Sequence, residues 1–346
     1  MKFRLDHDYF KGTISISLVH EALLHAQQKG YDTLALLQKA GIAPELLHSD
    51  KTRVSVTQYA QLWIVLADAM NDEFFGMDSH PMRRGSYTFL SKSVIQTTYL
   101  KQALTQILQF LNLVLDDFNS KFFVEEHYAY IVIHENTPPK RMFSYATYLM
   151  LIQGLMCWLC GQRIVLNRIQ LRCSAPLDEH DYKVRFCDDI QYSAEENYIQ
   201  FDANYLNLPI KQDQKSWHQF ILHTPYNLLV RYKNPNALSH QIRKHFMQTV
   251  ATDWKELTEL APLFNMSEAT MQRRLKQEGI NFQQLKNDIR RDLAIDLLAQ
   301  SHFTLQDISE QLNFHDASAF HRAFKKWTGV NPGSYRQKQQ DKNTEV

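Results

Sequence analysis

Cysteine is scarce: the chain has 4 in 346 residues, at positions 157, 160, 173 and 187. So few, so unevenly placed, exclude a secreted disulfide scaffold and fit a reducing compartment. Charge of one sign is also lacking, because 38 Lys and Arg stand against 37 Asp and Glu. From Pro235 onward 15 basic residues face 13 acidic ones, a net of +2, and the rest of the chain carries −1. Bulk charge therefore does not mark a nucleic-acid binder, and such a reading has to rest on where the charges sit. The opening MKFRLDHDYFKG is charged and has no apolar core of signal-peptide length, so no export signal is visible and the expected location is the cytoplasm. The most apolar run, Tyr148 to Gly161, is interrupted by Gln153 and Gly154. It is shorter than the roughly 20 residues of a membrane span and reads as a buried helix, with no membrane partner. No phosphate-binding loop and no nucleophile with a base partner occurs, so an enzyme, a catalytic residue or a cofactor has no local support.

What is present is apolar material for two packed cores, with hydrophobic residues at 44% and aromatics at 12%. Residues 13 to 77 show helical spacing, as in Ile16, Val19, Leu23 and Leu24, then Tyr59, Leu62, Trp63, Leu66 and Met70. Ser86 to Ser91 reads as a strand, Leu100 to Leu115 as an amphipathic helix, and Phe122 to Glu126 with Ala129 to His134 as a strand pair turning near Glu126 and His127. A long apolar helix, Phe143 to Cys160, follows Pro138 and Pro139, and strand-like pieces recur at Ile164 to Cys173 and Tyr198 to Phe201. The expected architecture is an α+β domain over 13–209, a connector over 210–237 holding one helix, and an all-α domain over 238–336.

The all-α part contains an approximate repeat. Leu257 to Ser267 and Leu305 to His315 are each a short helix ending in Asn and then an apolar residue, and Asn265 and Asn313 suit the left-handed turn between two helices. A second helix follows each turn, with Ser267 and Asp316 as N-caps. These are two helix-turn-helix units. On a helical wheel Met271 and Leu275 face inward while Ala269, Gln272, Arg273 and Lys276 face out; in the second unit Phe320, Phe324 and Trp327 face inward while Ser318, His321, Arg322 and Lys325 face out. Arginine with amide and hydroxyl groups is the donor set that reads base edges in the major groove of double-stranded DNA. Arg274 turns toward the helix edge, where it can reach a DNA phosphate or an acidic neighbour.

These residues resemble the AraC/XylS family of bacterial transcription regulators. Asn281 to Ser301 looks like that family's joining helix, and Ala319 to Pro332 with Tyr335 and Arg336 is similar to its C-terminal signature almost throughout. The chain departs in having Asn at both turns, Pro262 inside the first scanning helix, and His315 where a small polar residue is usual. The N-terminal part resembles the effector-type domain of the ornithine-utilisation branch, through Gly85-Ser86-Tyr87, Tyr182 to Phe186 and Phe201 to Pro209. The resemblance implies an arabinose-binding-type domain that senses a small-molecule effector and dimerises, and contact with RNA polymerase if the protein activates. Two other readings stand beside it: a methyl-accepting DNA-repair enzyme, which needs a zinc-held cysteine, and an effector-free architectural DNA binder.

Weaker signals are read conservatively. Cys157 and Cys160 have metal-knuckle spacing but lie in an apolar helix without a second pair. His20 and His25 are five apart, not the four that share a helix face in zinc proteases, so no metal is expected. Arg84 and Tyr87, and Tyr145 in an aromatic stripe with Phe143 and Tyr148, are the ligand-binding candidates, since an arginine fork can hold a carboxylate.

Overall fold

A computed structural model describes residues 13–48, 52–136, 138–177, 179–229, 238–277, 281–298, 303–328 and 330–340. The first elements are β1 (Thr13–Ser15), α1 (Ile16–Gln28), α2 (Thr33–Lys39), β2 (Arg53–Ser55) and α3 (Val56–Met70). Residues 13 to 77 are thus not wholly helical, since β1 and β2 pair antiparallel with Thr13 opposite Ser55. The ribbon is closed by Arg53, whose Nε and Nη2 donate to Thr13 Oγ1 and the Thr13 carbonyl, both at 2.9 Å.

Next come α4 (Ser86–Val94), α5 (Leu100–Val114), β3 (Phe118–Glu125), β4 (Tyr128–Glu135), α6 (Met142–Cys160), β5 (Leu166–Gln170), α7 (His180–Arg185), β6 (Ile190–Gln191) and β7 (Asn197–Asp202). Ser86 to Ser91 is therefore helix, not the expected strand. The cause is tertiary: the Glu73 carboxylate accepts from Gly85 N at 2.9 Å and Tyr87 N at 2.8 Å, satisfying amides that a helix start leaves open. Gly85 itself sits at φ 94°, a left-handed conformation. Open space surrounds the position of a Cβ there, so Gly85→Ala should cost about 1 kcal/mol from backbone strain alone. A urea titration of the variant checks this, and full wild-type stability would refute it.

The sheet runs β3-β4-β7-β5-β6, antiparallel except for the β5/β6 pair. Glu126 turns the β3/β4 hairpin at φ 50°. Every residue of α6 except Gly154 is buried, and although its 19 residues are long and apolar enough to cross a membrane, the helix is enclosed by protein. It packs on α5, which also packs on β3. Asn112 of α5 bonds both backbone groups of Ser120 at 2.7 and 2.8 Å, and Tyr148 of α6 donates to the Ser120 hydroxyl at 2.8 Å.

The remaining helices are α8 (Gln214–Leu222), α9 (Tyr226–Leu229), α10 (Leu238–Met247), α11 (Leu257–Leu263), α12 (Glu268–Gln277), α13 (Phe282–Leu298), α14 (Leu305–Gln311), α15 (Ala317–Thr328) and α16 (Pro332–Gln340). Two helices, not one, occupy the described part of 210–229. The joining helix starts one residue after Asn281, which caps it by accepting from Gln284 N at 2.8 Å; its expected end at Ser301 lies outside the described residues.

The chain divides into two compact units, discontinuously. One collects residues 1–16, 41–59 and 233–346, and the other residues 17–40 and 60–232. The sequence reading placed its single break in the connector. Ribbon contacts explain the difference: Tyr335 donates its hydroxyl to the Arg53 carbonyl at 3.1 Å, and Thr13 bonds Asp292 at 3.4 Å, so β1 and β2 belong with α13 and α16.

Candidate nucleic-acid interface

In the first helix-turn-helix, α11 ends at Leu263 and Asn265 takes φ 54°; in the second, α14 ends at Gln311 and Asn313 takes φ 57°. The turns therefore have the left-handed residue that their Asn implies. Ser267 Oγ accepts from Thr270 N at 3.2 Å, and Asp316 Oδ1 from Ala319 N at 2.6 Å, so both following helices are capped as their sequences require. The backbone bond from Ala319 holds the Asp316 carboxyl below the usual carboxylate range, against the opposing effect of desolvation. Pro262 lies in the last turn of α11, which has seven residues like its counterpart α14, so the proline neither shortens the helix nor displaces the turn. Because only glycine adopts φ near +57° without cost, Asn313→Ala should lose about 1 kcal/mol while Asn313→Gly stays close to wild type. Comparing their thermal midpoints decides it, and equal midpoints would remove strain as the reason for Asn.

Met271, Leu275, Phe320 and Phe324 are at most 1% exposed, and Trp327 is only partly covered. On the opposite faces Ala269, Gln272, Arg273 and Lys276 of α12 are exposed, as are Ser318, Arg322 and Lys325 of α15, while His321 is half-buried beside Phe320. Gln272 Nε2 reaches Glu268 Oε1 at 3.3 Å. Arg273, Lys276, Arg322 and Lys325 have no ion pair within the described residues, which leaves their charges facing water. Arg274 differs: it is partly buried, with Nη1 at 3.7 Å from the Met266 sulfur at the turn.

The frame behind these faces is α13, which packs on α10, α14, α15, α16 and β2. Its Lys286, 2% exposed, donates from Nζ to Glu256 Oε1 at 2.8 Å, and Glu256 is the N-cap of α11. The same ammonium lies 5.6 Å from the Phe282 ring centroid, and Arg290 lies 5.4 Å over Trp254. These cations hold the first unit to the joining helix, a role that a helical wheel alone does not reveal. Asp292, 3% exposed, is met by Arg243 at 3.3 Å and Arg291 at 3.1 Å.

The ligand candidates are placed in the other unit, on internal partners. Arg84 pairs with Asp68 at 2.6 Å and Glu73 at 3.2 Å, the Tyr87 hydroxyl donates to the Leu151 carbonyl at 3.1 Å, and that of Tyr145 donates to Glu135. Burial, then the Tyr145 bond to Glu135, holds that phenol far above its ordinary value. Cys157 and Cys160 are buried free thiols, each pushed up by burial, Cys160 to about 12.

Residues 30–210 match the arabinose-binding N-terminal domain of AraC transcription regulators, and residues 260–338 match a helix-turn-helix domain. The chain belongs to the AraC family of transcription regulators. It is a bacterial-type helix-turn-helix DNA-binding protein with an N-terminal ligand-binding domain, α+β followed by all-α. The ornithine utilization regulator of Pseudomonas aeruginosa is 22% identical over 321 residues, 92% of this chain and 94% of that one. The virulence regulon activator VirF of Shigella flexneri is 31% identical over 99 residues, 29% of this chain and 37% of its own. Among solved structures, the regulator CdpR from Pseudomonas aeruginosa aligns over 97% of this chain and 100% of its own at 18% identity, with a TM-score of 0.31.

Proposed function

We propose that this AraC-family regulator reads two successive major-groove segments on one face of double-stranded DNA, one with α12 and one with α15. The observation that supports it most is the pair of exposed faces carrying Arg273 and Arg322, which have no ion pair among the described residues, each behind an Asn turn and a capped helix start. Base contacts fall to Ala269, Gln272, Arg273, Lys276, Ser318, His321, Arg322 and Lys325. Arg274, nearer the helix edge, serves a phosphate or holds the turn. Hydroxyl-radical footprinting on the selected binding site tests this: two protected regions roughly 34 Å apart are expected, and one region alone would overturn it.

DNA reading belongs to 238–336, with the β1/β2 ribbon packed on its joining helix, and effector sensing to the remainder of 13–209, joined by 210–237, with the small molecule changing DNA occupancy. The effector-sensing part also dimerises, and an activator would touch RNA polymerase. The protein acts in the cytoplasm as a regulator and not as an enzyme. A methyl-accepting repair enzyme would bind zinc stoichiometrically through cysteine, so a zinc assay of the purified protein separates it. An effector-free architectural binder would show no ligand-dependent rise in melting temperature across a metabolite panel.

A further inference from the structure

The five-stranded sheet of the ligand-binding unit has two edges of unequal kind. One is β6, two residues long and too short to carry a further strand. The other is β3, eight residues without proline, whose ladder is to β4. Backbone groups along such a strand point alternately toward its partner and away from it. At Ser120 they point away, and the Asn112 side chain takes both, accepting from Ser120 N at 2.7 Å and donating to its carbonyl at 2.8 Å. The same alternation turns the N–H and C=O of Phe122 and Val124 to the open edge, where they have no bond among the described residues. The free edge is therefore short: it starts after Ser120 and ends at Glu126, which turns the chain.

Side chains on this edge are apolar, and their charges complement a copy of themselves. Phe123 is 45% exposed and Val124 48%. Lys121, Phe123 and Glu125 share the sheet face away from the core, where the Phe123 ring stacks on Tyr130 of β4 at 5.2 Å and Tyr130 meets Tyr198 of β7 at 5.7 Å. Lys121 and Glu125 are exposed and have no ion pair among the described residues. An edge strand with open backbone groups and exposed apolar side chains is a template for another strand.

We propose that β3 is the dimerisation edge, pairing antiparallel with β3 of a second copy of this chain across a two-fold axis at Phe123. This rests on the reading above that the effector-sensing part dimerises, and it names the surface. The register follows from the free backbone groups. With Phe122 opposite Val124 of the second copy, each donates its N–H to the other's carbonyl, and symmetry repeats the exchange. A seam centred on Phe122 would need the Ser120 groups, which Asn112 holds, and one centred on Val124 would need Glu126, which lies in the turn. In the allowed register Lys121 stands opposite Glu125 of the second copy, and Glu125 opposite its Lys121, so opposite charges flank the paired Phe123 rings on one face. Because β6 offers no comparable edge, the sheet extends once and the assembly closes as a dimer.

The test uses the full chain. Sedimentation across a concentration series should show a dimer, and Phe123→Asp, which sets two carboxylates against each other on the axis, should weaken it by about tenfold or more. Lys121→Glu and Glu125→Lys should each weaken it by about threefold or more, and the double variant, which restores both pairs in reverse, should recover the wild-type affinity. If Phe123→Asp does not fold, Phe123→Cys replaces it: under mild oxidation it should form a disulfide-linked dimer, because residues directly opposite in such a pair have Cα atoms about 4.5 Å apart. Asn119→Cys, on the same face but about 26 Å from its symmetry mate in this register, should not. The wild-type chain, with its own free cysteines, gives the background. A monomer at every concentration overturns both the edge and the dimer reading beneath it. A dimer that withstands Phe123→Asp, fails to cross-link through Phe123→Cys, or is not rescued by the double variant overturns the edge while the dimer reading stands.

Discussion

Truncating Arg273 or Arg322 to Ala should each weaken specific DNA binding by about 1 to 3 kcal/mol and relax preference at one base position. Both side chains leave exposed helix faces and have no ion pair among the described residues, so their donors are available to a base edge. Neither change removes packing, and the melting temperature of the free protein should stay near wild type. Arg274→Ala should behave differently. Its guanidinium lies against the Met266 sulfur, so its loss should weaken all sequences about equally. Where phosphate is its partner, the slope of log K against log salt should fall by about one. Measuring the three variants against the preferred site and its single-base changes at several salt concentrations separates these outcomes. Indistinguishable losses for all three would mean that the arginines supply only positive charge.

The C-terminal helices were legible because several local signals agree there. The 3.6-residue period placed Met271, Leu275, Phe320 and Phe324 inside, the caps Ser267 and Asp316 marked helix starts, and Asn265 and Asn313 marked the turns. Where tertiary contacts decide the outcome, local reading failed. Ser86 to Ser91 becomes helix because Glu73, twelve residues before Gly85, caps it. The strands β1 and β2 are three residues each, too short to show alternation, and their pairing spans about forty positions. Tyr182 to Phe186 carried the family resemblance, yet nothing in it showed that α7 brings Arg185 to Gln153 and Leu228. Nor does Arg84, read as a carboxylate clamp, reveal in sequence that Asp68 and Glu73 already engage it. A basic residue advertises its charge locally, but its partner is set by the fold.

Phe324→Ala should cost about 3 to 5 kcal/mol of stability in the DNA-binding unit, the range for deleting a buried phenylalanine ring. The side chain is fully buried in α15, its ring centroid 5.7 Å from that of Phe320 and 5.4 Å from that of Tyr335. Tyr335 in turn reaches the Arg53 carbonyl, so the cavity would open between the second helix-turn-helix and the β1/β2 ribbon. Domains are stable by only about 5 to 15 kcal/mol, and this single truncation removes a large share of that. DNA binding should therefore fail through unfolding, with a lowered urea midpoint, whereas Arg322→Ala two residues away should fail at unchanged stability. Phe324→Leu, which keeps most of the buried volume, should recover most of the midpoint and with it the affinity. A Phe324→Ala protein with a wild-type urea midpoint and lost DNA binding would place the ring in the interface, and the inward face assigned to α15 would be wrong.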